Sequence, residues 1–281
     1  TKNSNNNQFA SEMTKWFDTN YHYIVPEFNE KTSFQLSTNK IFDEYSEAKQ
    51  LGIETRPVLI GPVTYLKIGK VTGGKINKYD LLDQLLEVYK EIFIKCESLG
   101  VTDLQLDEPI AALDLTDEEK HALEKAYAFL SQTNQIKIHL ATYFGDLRDN
   151  ESLIYKLPVY SIHLDHSRND ISESIQTFPT DKILSLGLVN GRNIWVNDFQ
   201  KSLDVIKSAT NRLGDESNHA HHFPDLHLIL NDLCLAAKLI RKKILCAGLE
   251  NDVIGSSGVV NASGEDAQAL DIYSNQVVKE T

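Results

Sequence analysis

Six times between residues 21 and 213 a short apolar run precedes a stretch with helical spacing, and this alternation restricts the fold more than any single motif. The runs fall at 21–25, 56–60, 104–106, 136–143, 159–164 and 183–189. Helical spacing covers 39–51 up to Gly52 and 79–99 up to Gly100. Thr116 with Glu119 forms a capping box for a helix to about Leu130, a weak helix covers 171–176, and Asp198 caps one that Gly214 closes. Strand followed by helix, repeated, predicts a parallel sheet with helices packed outside it. Polar residues recur just past the strand ends: Thr64, Asp107, Glu108, Asp146, Asp165, Arg168, Asn190 and Arg192. A (β/α)8 barrel builds its site from those C-terminal ends. A doubly wound sheet shares the alternation, but no GxGxxG follows any strand, so the barrel is the fold expected. Eight units are required and six or seven are visible. The expected barrel is therefore incomplete, its first strand absent and its last unrecognisable.

Residues 1–9 (TKNSNNNQF) read as a disordered lead-in, residues 10–214 as the barrel domain, and residues 215–281 as a tail. Within the tail, 226–245 has the pattern of one amphipathic helix ending in Arg241, Lys242 and Lys243, and 250–281 reads as loose. The formal charge of −12 disfavours binding to nucleic acid, which needs a basic surface. No apolar run reaches the roughly eighteen residues of a membrane span, and the Asn-rich N-terminus lacks a signal-peptide core. The three cysteines, Cys96, Cys234 and Cys246, form no CxxC pair, and their odd number suits a reducing compartment, so a cytoplasmic location is expected.

Residues 13–28, MTKWFDTNYHYIVPEF, place Lys15, Asp18, Asn20, His22 and Glu27 among five aromatic rings, a density that lines a cavity or an interface. In Asp107-Glu108-Pro109 only one carboxylate can face a barrel mouth, because neighbours on a strand point opposite ways. It would either bind a substrate ammonium or hydroxyl, or tie a loop through backbone N–H groups. His163, Asp165, His166 and Arg168 invite either a metal site or a loop hydrogen-bond network. His219, His221, His222, His227 and Cys234 match no structural zinc spacing. Cys96 is expected to be a buried helix residue.

The 13–28 stretch, RPVLIGPVTYLKIGK at 56–70, LQLDEP at 104–109, ATYFGDL at 141–147 and LSLGLVNGRNIW at 184–195 resemble, in order and spacing, the N-terminal domain of cobalamin-independent methionine synthase. That resemblance implies a protein of two face-to-face barrels. It moves a methyl group from 5-methyltetrahydropteroyltriglutamate to homocysteine, giving methionine. It also implies that zinc, which turns the homocysteine thiol into a thiolate, is held by the C-terminal catalytic barrel and not by this chain. Lys15 matches the family lysine that contacts the folate's triglutamate tail; the family's GFPRIG…RELK segment on the first strand has no match here. Leu140 and Thr142 fall where the catalytic barrel has zinc ligands. Asp107 and Asp165 are expected to be remnants of ligand positions or loop anchors. The last family strand has no recognisable counterpart in 215–281. The resemblance implies an accessory, folate-tail-binding barrel, inactive alone. A non-catalytic interaction module or vestigial fragment, and an unrelated barrel enzyme using Asp107, Asp165 and Arg192, remain open alternatives.

Overall fold

In a computed structural model of the chain, the described residues are 11–133, 135–167, 169–191, 196–214, 256–260 and 266–268. The chain divides into two compact units, Thr1–Asn218 and His219–Thr281. The first opens on an antiparallel hairpin, β1 (Met13–Lys15) with β2 (His22–Ile24), in which Lys15 lies opposite His22. β3 (Glu27–Phe28), α1 (Lys40–Gln50), β4 (Val58–Ile60), α2 (Pro62–Ile68) and β5 (Lys70–Val71) follow, with β5 parallel to β3. Next come α3 (Leu82–Ser98), β6 (Asp103–Asp107), α4 (Asp117–Thr133), β7 (Lys137–Ala141), the single turn α5 (Glu151–Ile154) and β8 (Ser161–Asp165). The unit closes with α6 (Ser172–Thr177), β9 (Ile183–Gly187) and α7 (Phe199–Leu213). Five strands form one all-parallel sheet in the order β4-β6-β7-β8-β9. The fold is thus α/β, an incomplete barrel of the (β/α)8 type.

The run at 21–25 does not join that sheet. Its polypeptide turns back on 13–15 because Thr19 closes a tight bend, its hydroxyl donating to the Trp16 carbonyl at 2.6 Å while Trp16 N–H bonds the Tyr21 carbonyl. The periodicity reading also passed over α2. Directly after the strand run at 56–60, Pro62 takes the first helical position, where its missing N–H costs nothing. The lead-in 1–9, the helix expected at 226–245 and the tail histidines lie outside the described residues. In the second unit, β10 (Ser256–Val260) and β11 (Asp266–Gln268) pair antiparallel, within the stretch expected to be loose.

The sheet has two unlike faces. Leu104, Leu106, Ile138, Leu140, Ile162, Leu164 and Leu184 are all buried and belong to one core with Phe93, Leu123, Tyr127 and Leu130 of the covering helices. At about 1.5–3 kcal/mol for each buried large side chain, this layer supplies the main driving force. The alternate positions, which register brings side by side, are Gln105 with His139 and Ser161, then Asp107 with Ala141 and His163, then Asp165 with Gly187. This second face is polar and directed toward what would be the barrel interior.

Helix ends are fixed by side chains. The capping box of α4 forms: Thr116 N–H donates to Glu119 at 3.0 Å, and Glu119 N–H donates back to the Thr116 hydroxyl at 3.3 Å. The same Glu119 carboxylate takes Lys67 of α2 at 2.5 Å and the Tyr79 hydroxyl at 2.7 Å, which ties the two helices together. Burial raises its pKa, but these donors outweigh it and leave Glu119 below the usual range. Asp198 caps α7 through Lys201 N–H, and Cys96 is buried in α3 with its thiol pushed up to about 11.

Candidate functional site

The C-terminal ends of β6, β7 and β8 and the β1–β2 hairpin form one connected group. Asp107 ends β6 on the polar face, half-buried, and accepts from Gln105 Nε2 at 2.8 Å and from the Tyr143 hydroxyl at 3.0 Å. Tyr143 belongs to the loop after β7. Burial and then the Asp107 charge raise its pKa, and the neighbouring Trp16 acts in the opposite direction. Tyr143 thus lies beside Trp16 of the hairpin and bonds the sheet at Asp107. Phe17 packs on Phe144 with ring centroids 5.5 Å apart, and both hold positive φ, 50° and 74°. Bulky residues rarely take that conformation, so surrounding contacts must enforce it.

The hairpin presents Lys15. It is exposed and its ammonium has no hydrogen-bond or ion-pair partner among the described residues, while Trp16 next to it is fixed against Phe17 and Tyr23. Tyr23 in turn donates to the Ile68 carbonyl at 3.1 Å, which seats the hairpin on the end of α2.

Asp165, at the end of β8, accepts from Phe144 N–H at 3.0 Å and from Ser167 N–H at 2.8 Å, one bond to each oxygen. It joins two loops across the strand ends. His163 shares its face, as the strand period requires, and contacts the Ser185 hydroxyl at 2.9 Å. Burial lowers the His163 pKa, against the opposing charges of Asp165 and Asp107. Asp146 pairs with Arg148 at 3.2 Å. Arg168 and Arg192 lie outside the described residues.

Glu108 points the other way, as adjacency to Asp107 demands, and is fully buried. It accepts from Val63 N–H at 3.2 Å, Thr64 N–H at 2.8 Å and the Thr64 hydroxyl at 2.5 Å, and from Tyr127 at 3.4 Å. Those amides are the unpaired donors of the first turn of α2, so a side chain from the neighbouring strand caps that helix. Gly61 is obligatory beside it, since a Cβ there would lie 2.1 Å from the Glu108 carboxyl carbon. Burial raises the Glu108 pKa to about 7 against the lowering effect of these donors.

One further constellation escaped the sequence reading. Asp103, His139 and Ser161 are connected, with His139 Nε2 2.7 Å from Asp103 and Nδ1 2.6 Å from the Ser161 hydroxyl. The order resembles a nucleophile–base–acid relay, but Ser161 is only 3% exposed, so no substrate carbonyl can reach its oxygen. The three make a cross-strand strut on the polar face. Gln105, Tyr143 and the strut could be foreseen only in part: the alternation in DLQLD and SIHLD marks the polar face, whereas Tyr143 depends on a loop.

Among the described residues zinc finds no fit. Among the described residues no three His, Cys, Asp or Glu side chains converge on a metal position. Leu140 is buried under the helices, and the Thr142 hydroxyl is taken up by the His163 carbonyl at 2.6 Å.

Comparison with known proteins places these features. The family model of the cobalamin-independent synthase N-terminal domain matches residues 3–214. The chain is 47% identical over 210 residues to the 5-methyltetrahydropteroyltriglutamate–homocysteine methyltransferase of Salinibacter ruber, covering 74% of this chain and 27% of that protein. It is 42% identical over 284 residues to the protein of the same name from Flavobacterium johnsoniae, covering 95% of this chain and 37% of the relative. The second match therefore runs past residue 214, into the segment that sequence pattern left without a counterpart. The chain spans about a quarter to just over a third of these relatives' length. Among solved structures, a B12-independent methionine synthase from Shewanella sp. W3-18-1 in complex with selenomethionine superposes with a TM-score of 0.57 at 17% identity, covering 80% of this chain and 73% of that one. A putative vitamin-B12 independent methionine synthase from Listeria monocytogenes gives 0.52 at 14% identity, covering 68% and 64%. At such identities these two speak to the fold.

Proposed function

Because this chain belongs to the cobalamin-independent methionine synthase family as its N-terminal domain, we propose that it is the accessory barrel that holds the triglutamate tail of the methyl donor. The observation that carries this reading is Lys15, exposed and unpartnered among the described residues, on a hairpin fixed to the strand ends by Trp16, Tyr143 and Asp107. A triglutamate tail is a chain of carboxylates, and an unpaired ammonium held on an ordered hairpin is matched to it. Methyl transfer to homocysteine, and the zinc that supplies the thiolate, belong in this reading to a catalytic barrel elsewhere in the longer proteins. The chain alone is inactive, and its setting is the cytoplasm. Asp107 and Asp165 serve as anchors for the loops around the hairpin.

Magnitude limits the role of Lys15. An exposed ion pair contributes about 0–1 kcal/mol and weakens with salt, so one lysine changes affinity by about five-fold at most. The chain's charge of −12 also repels a polyanion, which leaves the remaining affinity to the folate head and the partner barrel. Titration of 5-methyltetrahydropteroyltriglutamate into wild type and Lys15→Ala tests the proposal. Binding that weakens about two- to five-fold on substitution, with a shallower salt dependence, supports it. Equal binding by both chains overturns the role of Lys15. No binding by either favours the second reading, a non-catalytic interaction module, and methionine formation by the isolated chain with zinc would overturn its predicted inactivity.

A further inference from the structure

His22 is the second basic residue of the β1–β2 hairpin, and register sets it directly opposite Lys15. The ladder bonds fall at Trp16 with Tyr21 and at Glu12 with Val25. Lys15 with His22 therefore lies between bonded pairs, where Cα atoms stand about 4.5 Å apart and side chains are closest. Met13 with Ile24 is the next pair of that kind. Strand alternation sends these four side chains to one face of the hairpin and Thr14 and Tyr23 to the other. The second face is the seated one, since Tyr23 bonds the Ile68 carbonyl and packs on Trp16. The first face is open: Met13 is 65% and Ile24 69% exposed, with Lys15 and His22 exposed beside them. Neither ring nitrogen of His22 has a partner among the described residues.

Like charges set directly opposite each other on two strands destabilise the pair. An ammonium facing an imidazole that gains a proton is thus relieved by an anion that meets both, and a chain of carboxylates offers one to each. We propose that His22 is a second contact for the carboxylates of the triglutamate tail, and that its protonation tightens the hold on that tail as pH falls. This role rests on the folate-tail reading and gives that site a second cation and a dependence on pH.

Imidazole is the side chain whose charge ordinarily changes between about pH 5 and 8. A bound carboxylate favours the charged ring, so binding takes up a proton and affinity falls as pH rises through that window. The other titratable groups about the hairpin are Asp18 in the turn, Glu12, which is bonded to Lys70 of β5, and, on the seated side, Tyr23, Tyr143 and Asp107. Carboxylates and phenols do not ordinarily change charge between about pH 6 and 8. Glu108 is the exception, with its pKa raised to about 7, but it is buried at the opposite end of α2 from Ile68 and acts alike in wild type and in His22 variants.

Calorimetric titration of 5-methyltetrahydropteroyltriglutamate into the full 281-residue chain, at about pH 6 and about pH 8 and in buffers of different ionisation enthalpy, tests the proposal. Wild type should bind about two- to five-fold more tightly at the lower pH and take up protons on binding. His22→Gln should bind equally at both and take up none. His22→Lys should bind at the higher pH as tightly as wild type does at the lower, a gain that misfolding cannot produce. Lys15→Ala should weaken binding at both and keep the wild-type ratio between them. If the triglutamate binds wild type at neither pH, the folate-tail reading and the role of His22 fall together. If it binds and Lys15→Ala weakens it, but His22→Gln keeps the wild-type ratio or His22→Lys gains nothing at the higher pH, the role of His22 is overturned and the reading of Lys15 stands.

Discussion

Glu108 makes stability depend on pH in an unusual direction. Its folded pKa of about 7 lies above the 4.5 of a free glutamate, so the folded chain holds the proton more tightly than the unfolded one. That contribution is fully present below pH 4.5 and is lost as pH rises through about 7. At about 1.4 kcal/mol for each pH unit the whole span is worth roughly 3 kcal/mol, and roughly 2 kcal/mol of it falls between about pH 5.5 and about pH 8. Glu108→Gln isolates the effect. The amide still offers a carbonyl oxygen to Thr64 but turns an N–H₂ toward the Val63 N–H, a pH-independent cost of about 1–3 kcal/mol. Urea unfolding of both chains at several pH values, followed by far-ultraviolet circular dichroism, measures the difference. The wild type should be clearly the more stable at about pH 5.5, and the two curves should draw together by about 2 kcal/mol by about pH 8. Parallel curves would refute the reasoning and show that the three donors of α2 keep Glu108 ionised throughout.

Glu119 should behave with the opposite sign. Its pKa is depressed on folding, so its contribution is present above the unfolded value and lost as pH falls through the folded one. Glu119→Gln should therefore cost about 2 kcal/mol near neutrality, discounted for the part-exposed Lys67, and approach wild type in acid, as read by the same unfolding curves. Tyr143→Phe removes the bond to Asp107 beside Trp16 and should cost about 1 kcal/mol while raising amide exchange in residues 13–24 more than in β6 or β7. Uniform exchange in that variant would show that the hairpin is held by Phe17 and Tyr23 instead.

Much of the sheet was legible because its residues obey a local period. DLQLD, SIHLD and ILSLG each alternate, and the structure assigns the leucines and Ile162 to the helices and the remainder, Ile183 among them, to the other face. Helix ends were legible for the same reason: Thr116, Glu119, Asp198, Gly100 and Gly214 act within a few residues of their own position. The hairpin was not, because 21–25 has the composition of a strand whether it pairs forward or back. A hydroxyl at Thr19 and two backbone bonds decide that. The α2 cap was hidden for a different reason, since Glu108 is 45 residues from Val63 in sequence and no spacing rule connects them.

The neighbouring carboxylates Asp107 and Glu108 show how one strand end serves both the fold and the site. The pleat separates them by geometry alone, so their environments diverge without any choice of residue type. Glu108 enters the helix layer, where water is excluded and the amides of α2 with the Thr64 and Tyr127 hydroxyls meet its charge; Asp107 enters the polar face, where it accepts from Gln105 and from Tyr143, which lies beside the hairpin. Both routes converge on the same piece of structure, because α2 supports Tyr23 through the Ile68 carbonyl while Tyr143 supports Trp16. Lys15 is next to Trp16 in the chain and lies opposite His22, the neighbour of Tyr23. Its placement therefore depends on Asp107 and Glu108 together, although neither touches it, and loosening either support should disperse the ammonium before it unfolds the sheet.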